Sequence, residues 1–274
     1  MLTRALMTAT VSLAMTGSLF AQPAQTRIHG SDDTRSIYQN VNNGPMRTLL
    51  TRENRYPNVG QLEIGAFYGH AEYLDDFEQD SYGVYGRYGL SEFVTVEASI
   101  PVVDSNFGGK SEFGLGDVEL KLDLLAFQDI FNYPFIIPHI DVSLPTGDED
   151  KGLGSGDTII VFGISIGTKV YEKLTYVIDA SYAFNGGNSS AKNDNVFMIS
   201  GSIVWDISDR FAVLVEGRVW EKNDFDSHPY QYQGGLAYKI TRDVQIAGYG
   251  GTYREDTLLE NKFDLAGLRL SIQF

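Results

Sequence analysis

Three residues with the chemistry of a hydrolytic centre occupy alternate positions of one short segment: His139, Asp141 and Ser143. On an extended chain, residues two apart point to the same side, so these side chains would share one face of a strand. A nucleophile, a base and an orienting carboxylate are the parts of a Ser-His-Asp system. Their Cα atoms would lie roughly 7 Å apart, too far for short direct hydrogen bonds. We therefore interpret them as a polar network, with a hydrolase as the alternative.

Acidic residues collect at three glycine corners: Gly116-Asp117, Gly147-Asp148 and Gly156-Asp157. Glycine permits the positive φ angles of tight corners, so one interpretation is loop architecture alone. The other is an acidic cluster, or a site for a divalent cation, formed by Asp117, Asp148, Glu149, Asp150 and Asp157. The order of these carboxylates does not match a calcium-binding helix-loop-helix, and the glycine spacing does not match a dinucleotide fingerprint. We expect no metal ion and no cofactor.

The elements that must position these residues are strands, because apolar and polar residues alternate along most of the chain. One segment shows the pattern clearly: Val118, Leu120, Leu122 and Leu124 alternate with Asp117, Glu119, Lys121 and Asp123. Four charges on one face would make a poor core for a soluble sandwich, but they suit a water-filled lumen. The alternation therefore predicts strands with one face toward lipid and the other toward a lumen.

About twelve such segments follow Pro57, and the connections between them alternate in length. Short turns are predicted at 89–92, 171–173, 206–210 and 241–243, and longer connections include 74–80, 104–112 and 145–157. Bacterial outer-membrane barrels have an even number of strands, short periplasmic turns and longer extracellular loops. The predicted fold is therefore all-β: a transmembrane, antiparallel, up-and-down β-barrel of about twelve strands. The acidic corners would then meet at its external mouth.

Charged residues on the inward face are predicted to line the lumen. They carry both signs, with acids slightly in excess, and the set is Glu63, Arg87, Glu97, Glu119, Lys121, Asp123, His139, Asp141, Lys169, Asp179, Glu216, Arg218, Lys239 and Arg269. Mixed charges either pair to fill a narrow barrel or form opposing walls that orient a permeant. A lumen of about twelve strands is narrow compared with that of a porin of about sixteen strands, so we expect small solutes.

The last segment, Asp264 to Phe274, alternates strictly and ends on an aromatic residue. It resembles the closing strand of bacterial outer-membrane β-barrels, which ends in Phe. The resemblance implies that the apolar face of this strand contacts outer-membrane lipid. It also implies that the barrel assembly machinery recognises the strand ending at Phe274.

The N-terminal part of the chain is predicted to be an export signal followed by a polar segment. Residues 1–21 carry a positive charge at Arg4, continue with an apolar stretch and end at the small residue Ala21, which is typical of a signal peptide. Residues 22–57 are polar and irregular, so we interpret them as a periplasmic extension or a plug, with one helical turn at 48–53, and disorder is the alternative. Residues 58–274 would form the barrel.

Composition limits the partners of the protein. The chain has no cysteine, so it can form neither a disulfide nor a thiol nucleophile. Its formal net charge of -15 is unfavourable for nucleic acid, which is bound by Lys and Arg. The 16 Tyr, 16 Phe and 29 Gly are typical of strands, turns and aromatic girdles. We therefore expect outer-membrane lipid and a small-molecule permeant as partners, and no nucleic acid.

Several turn motifs between Gly114 and Phe184 resemble the outer-membrane transporter family labelled MetA-pathway of phenol degradation. They are Gly114-Leu115-Gly116-Asp117, Leu144-Pro145-Thr146-Gly147-Asp148 and Gly152-Leu153-Gly154-Ser155-Gly156. The resemblance implies a location in the cell outer membrane of a Gram-negative bacterium. It also implies uptake of small compounds, aromatic ones among them, and it assigns no functional residue.

Together these patterns predict an outer-membrane channel for passive uptake of small solutes, including aromatic or hydrophobic compounds, and no enzymatic activity. Two alternatives within the membrane stay open. One is a barrel hydrolase that uses His139, Asp141 and Ser143, and the other is a non-conducting structural outer-membrane protein. A secreted, soluble β-sandwich is the remaining alternative.

Overall fold

Strands account for most of the described chain in the computed structural model. The structure describes residues 48–53, 57–73, 77–107, 109–129, 134–185, 195–221, 229–255 and 261–274. The predicted signal peptide, residues 1–21, and residues 22–47 of the predicted N-terminal segment lie outside the described residues. Among the residues described, no helix is both long and apolar enough to cross a membrane.

The regular structure of the described residues consists of strands and one 3₁₀ turn. The turn, η1, spans Glu149–Lys151. The strands are β1 (Leu62–Tyr73), β2 (Phe77–Gly89), β3 (Val94–Phe107), β4 (Lys110–Leu115), β5 (Val118–Leu124), β6 (Phe127–Gln128), β7 (Phe135–Leu144), β8 (Ile159–Val170), β9 (Leu174–Asn185), β10 (Val196–Ser208), β11 (Phe211–Glu221), β12 (Tyr230–Lys239), β13 (Val244–Glu255) and β14 (Asn261–Gln273).

In the described part of the chain, these strands occupy twelve positions in the wall of a closed antiparallel barrel. β4 and β5 share one position, because β4 pairs with the outer half of β3 and β5 with its inner half. β6 has two residues and pairs only with the start of β7. The other strands pair with their neighbours in sequence. The predicted antiparallel barrel of about twelve strands is confirmed.

Pairing of β1 with β14 closes the wall. The register runs from Glu63 opposite Gln273 to Tyr73 opposite Phe263. Beyond it, the backbone N–H of Phe274 donates to the carbonyl oxygen of Leu62 at 2.8 Å. Lipid provides no hydrogen-bond partner, so an open strand edge would leave a row of backbone groups unsatisfied. Closure removes both edges at once.

The two faces of the wall are inverted relative to those of a soluble protein. On β5, Leu120 and Leu122 are 43% and 39% exposed, whereas Glu119 and Lys121 between them are buried. Outward apolar side chains recur on the other strands, and aromatic ones such as Trp205 lie near the short turns. The outer face therefore suits lipid and an interfacial aromatic belt, while polar side chains fill the lumen.

Two extracellular connections are shorter than the sequence predicted. β1 ends at Tyr73 and β2 begins at Phe77, so β2 includes residues 77–80 of the predicted connection 74–80. β3 continues to Phe107 and β4 begins at Lys110, so the predicted connection 104–112 is mostly a hairpin. Strands that extend beyond the lipid have water on their outer face, so they keep backbone pairing without apolar alternation. This is why the pattern ends before the strand does.

Replacing Leu268 by Arg should destabilise the barrel. Leu268 is 47% exposed near the middle of β14, and a charge on the lipid face near the bilayer midplane costs about 2–4 kcal/mol. The free energy of unfolding, measured by urea titration in lipid vesicles, should fall by that amount. Leu268→Ala is the matched control and should cost clearly less, because it adds no charge. Equal losses in the two variants would contradict a lipid-facing Leu268.

Candidate functional site

The structure places all of the predicted lumen residues inside the wall. They are buried, except that Asp141, Lys169 and Lys239 are half-buried. Three groups can be distinguished: one at the closing seam, one at the centre of the lumen and one at the periplasmic end. At the periplasmic end, Lys169 of β8 pairs with Asp206 of β10 at 3.2 Å.

The first group links the four strands at the closing seam. The guanidinium of Arg87 donates to Glu97 and lies 3.5 Å from a carboxylate oxygen of Glu63. Arg269 donates through Nε to the hydroxyl of Tyr85 at 2.7 Å, and that hydroxyl donates to Glu63 at 2.7 Å. The network joins β14, β1, β2 and β3, so its charges are balanced within the wall. Its role is structural.

The second group faces the centre of the lumen from β7, β8 and β9. Nε2 of His139 lies 2.8 Å from a carboxylate oxygen of Asp179. The same carboxylate oxygen accepts a hydrogen bond from the Ser165 hydroxyl at 2.5 Å. Nδ1 of His139 lies 3.8 Å from Asp141. His139 is therefore held between two carboxylates.

This geometry does not assemble the nucleophile and base of a hydrolase. Both ring nitrogens of His139 face carboxylates, Asp179 and Asp141. Within the described residues, the buried hydroxyl of Ser143 has no hydrogen-bond partner. A general base must reach the proton that it removes, and here His139 does not contact the hydroxyl. The three residues form part of a polar lining, as the first interpretation predicted.

A short piece of the N-terminal segment crosses the lumen. All residues of this piece, 48–53, are buried inside the barrel, and we call it the strap. The backbone amides of Leu49 and Leu50 donate to the carboxylate of Glu216 on β11, at 2.9 and 3.1 Å. The hydroxyl of Thr51 lies 2.8 Å from that of Ser202 on β10. The strap is thereby attached to one side of the wall.

Arg52 attaches the strap to the strands on the other side of β9. Its Nη2 donates to both carboxylate oxygens of Asp141, at 2.7 and 2.6 Å. Its Nε lies 3.2 Å from a carboxylate oxygen of Asp123, and its backbone N–H donates to the Ser165 hydroxyl at 3.0 Å. The strap therefore bridges β5, β7 and β8 to β10 and β11 inside the lumen.

The prediction of a helical turn at 48–53 is wrong. The strap consists of bends, and the N–H of Thr48 donates to the side chain of Glu53 at 2.8 Å. The next amides, those of Leu49 and Leu50, bond to the wall instead of to the strap itself. Sequence reasoning missed Arg52 as a lumen residue, because its partners on β5 and β7 are remote in sequence. The available signal was the apolar pair Leu49-Leu50, followed by the charged pair Arg52-Glu53, within an otherwise polar segment.

A small cavity of about 30 Å³, room for one or two water molecules, lies beside the strap. Its lining includes the polar residues Arg52, Glu119 and Asp141 and the apolar residues Ile159 and Met198. Because the strap contributes part of this lining, displacing the strap would enlarge the space.

Apolar side chains also line the external end of the lumen. The rings of Trp220 and Tyr253 meet edge-to-face with centroids 5.4 Å apart. They pack in one buried cluster with Ile159, Met198 and Ala71. Inward positions of barrels that carry water are usually polar, so this cluster is unusual. Sequence reasoning missed it because only charged inward positions were considered.

The acidic residues at the mouth do not form one cluster. Asp117 is buried and accepts hydrogen bonds from the amides of Gly147 and Ser155, at 3.0 and 2.7 Å. It therefore anchors the connection between β7 and β8. Asp148 pairs with Lys151 at 2.9 Å on the exposed surface, and the hydrogen bond from Lys151 lowers the pKa of Asp148.

The remaining acids of the mouth support a structural interpretation as well. Glu149 and Asp150 are exposed on η1, while Asp157 is buried. Among the described residues, no group of three or more His, Asp or Glu side chains is arranged to hold a metal ion. The glycine corners and Asp117 together shape the loop, which favours loop architecture over a binding cluster.

A closed antiparallel wall with an apolar outer face and a polar lumen defines an outer-membrane β-barrel. The chain belongs to the family described as "Putative MetA-pathway of phenol degradation", whose model matches residues 55–267. The predicted family and the predicted location in the cell outer membrane are thus confirmed. No curated protein matches the chain.

Solved structures with the same fold are described as outer-membrane channels or porins. The COG4313 outer membrane channel from Pseudomonas putida F1 has a TM-score of 0.65 at 14% identity, covering 79% of this chain and 96% of that one. The NanC porin has a TM-score of 0.55 at 13% identity, covering 75% and 98%. The KdgM porin has a TM-score of 0.52 at 10% identity, covering 75% and 97%. At these identities the likeness establishes the fold.

Replacing Glu216 by Gln should loosen the strap. The carboxylate accepts two strap amides, and a carboxamide would turn a donor toward them. Trypsin should then cleave after Arg52 about tenfold faster in the refolded protein, since a hydrogen bond to a charged group contributes about 1.5–3 kcal/mol. Mass spectrometry of the N-terminal fragment measures the rate.

Glu63→Gln is the matched control for this experiment. Its carboxylate lies in the seam, where it accepts a hydrogen bond from Tyr85 and lies 3.5 Å from both Arg87 and Arg269, all of them wall residues. Cleavage after Arg52 should stay slow in this variant. If trypsin cuts wild type, Glu63→Gln and Glu216→Gln at one rate, Glu216 does not hold the strap.

Proposed function

We propose that the protein is a passive outer-membrane channel for small solutes that carry an aromatic or apolar part. The observation that carries this proposal is the apolar cluster at the external end of the lumen, formed by Trp220, Tyr253, Ile159, Met198 and Ala71. A solute entering from outside meets these side chains before it meets the charged centre. Aromatic contacts at the entrance favour ring compounds over sugars of similar size.

The lining of the small cavity beside the strap supports the same kind of solute. Ile159 and Met198 contribute apolar surface to it. Glu119 and Asp141, which also line it, can exchange hydrogen bonds with a solute as it loses water. Passage would then be diffusion along a lumen whose charges orient the solute.

We also propose that residues 22–57 form a plug and not a free periplasmic extension. The hydrogen bonds of Leu49 and Leu50 to Glu216, and of Arg52 to Asp141, support this assignment. In this proposal, residues 1–21 are the signal peptide that directs export of the chain. Recognition of β14 by the barrel assembly machinery is part of the same proposal, and the outward, 69% exposed ring of Phe274 supports it.

Replacing Trp220 by Ala should reduce the preference for aromatic solutes. The rate of osmotic swelling is measured in proteoliposomes that contain protein lacking residues 22–57, with and without Trp220→Ala. The two solutes are phenyl glucoside and methyl glucoside, which are neutral and differ by a ring. An aromatic contact contributes about 0.5–1.5 kcal/mol, so the ratio of the two swelling rates should fall about 2- to 10-fold.

Trp205→Ala is the matched control, since Trp205 is the other tryptophan of the chain and is exposed on the outer face of β10. It should leave the ratio of swelling rates unchanged. If both variants change the ratio equally, the rings do not select at the entrance. If no protein form causes swelling, the protein is a non-conducting structural barrel.

A further inference from the structure

Arg52 occupies a binding site that belongs to the wall. The guanidinium is contributed by the strap, whereas its partners Asp123 and Asp141 are wall residues of β5 and β7. It makes a two-oxygen contact with Asp141 at 2.7 and 2.6 Å and lies 3.2 Å from Asp123. Proteins bind guanidinium cations through charge-assisted hydrogen bonds to carboxylates of this kind.

The wall contributes three basic residues near this position. Lys121 is paired with Asp141 in the register of β5 and β7 and lies 3.2 Å from Glu119, while Arg218 donates to the Ser200 hydroxyl and to the strap carbonyl of Leu50. His139 faces both Asp179 and Asp141, and it is nearer to Asp179, at 2.8 Å against 3.8 Å. Without the strap, the carboxylates of Asp123 and Asp141 would lose their contacts with Arg52.

The adjoining small cavity shows where the rest of a ligand would lie once the strap is displaced, because Leu50, Thr51 and Arg52 of the strap form part of its lining. It lies against Arg52 and is lined by Ser143, whose hydroxyl is buried and has no hydrogen-bond partner within the described residues. Such an unsatisfied buried group is costly unless a ligand or water completes it. The apolar side chains of Ile159 and Met198 also line this cavity, and both belong to the external apolar cluster.

We propose that the lumen contains a recognition site for small organic cations with a guanidinium or primary ammonium head and an apolar body. Asp141 and Asp123 bind the head, and the cavity, enlarged by displacement of the strap, takes the body. The strap occupies the head position with Arg52, as a tethered competitor, so a cationic solute and the strap exclude one another. This inference rests on the proposed channel function, whose permeant class it narrows to amphipathic cations.

Binding to the Arg52→Ala protein tests the site without relying on conductance. Refolding of each variant is verified by heat-modifiable migration in gel electrophoresis. Isothermal titration calorimetry in detergent should show benzylguanidine binding to Arg52→Ala, with at least about tenfold weaker binding to wild type, in which Arg52 fills the site. Benzoate, with a similar ring and the opposite charge, should bind at least tenfold more weakly than benzylguanidine.

Carboxylate variants in the Arg52→Ala background locate the site. Asp141→Asn should weaken benzylguanidine binding by about tenfold or more, because a hydrogen bond to a charged group is lost. Asp123→Asn is the second variant, should Asp141→Asn fail to refold. Asp206→Asn, which alters a lumen carboxylate paired with Lys169 at the periplasmic end, is the control and should leave the affinity unchanged.

Three results would overturn the proposal: no benzylguanidine binding to Arg52→Ala, equal binding of benzoate, or unchanged affinity on Asp141→Asn and Asp123→Asn. Swelling of proteoliposomes by phenyl glucoside distinguishes such a failure from failure of the channel. A protein that conducts but does not bind benzylguanidine is a channel without this cation site. A protein that binds benzylguanidine but never conducts retains the site and refutes the channel.

Discussion

Lipid cannot form hydrogen bonds with a peptide backbone, and the rest of the structure depends on this constraint. It forces β1 to pair with β14, because only a closed wall satisfies every strand edge. Closure in turn creates an inward face on every strand, and the strand period of two places every second side chain there. Outward positions must be apolar, so polar chemistry is confined to a narrow lumen.

A narrow lumen makes each inward charge depend on its neighbours. Burying a charge is expensive unless it is paired and hydrogen-bonded. At the seam, Arg87 and Arg269 are balanced by Glu97 and Glu63 across neighbouring strands. At the centre, the wall leaves carboxylates in excess, and the strap supplies the missing cation through Arg52. Strap and wall therefore form one electrostatic unit, and the proposed plug function follows from this dependence.

The wall could be predicted from the sequence because its signal is local. Alternation on β5 identifies the inward residues Glu119, Lys121 and Asp123 from their own neighbours. Alternation does not fix the register between strands that are not connected by a short turn. The contact between His139 on β7 and Asp179 on β9 was therefore not predictable. The partners of Arg52 were hidden for the same reason: Asp141 lies 89 positions further along the chain. The predicted ends of the strands near residues 74–80 and 104–112 were wrong, because backbone hydrogen bonding between strands continues beyond the lipid, where the outward side chains need not be apolar.

One measurement tests the proposed occlusion of the lumen by the strap most directly. The chain has no cysteine, and the hydroxyls of Thr51 and Ser202 lie 2.8 Å apart, so the double variant Thr51→Cys/Ser202→Cys can lock the strap to the wall with a disulfide. Single-channel conductance in planar bilayers is recorded before and after addition of a reductant. The account predicts small or absent steps when oxidised and larger steps when reduced. Equal, open conductance in both states would contradict it.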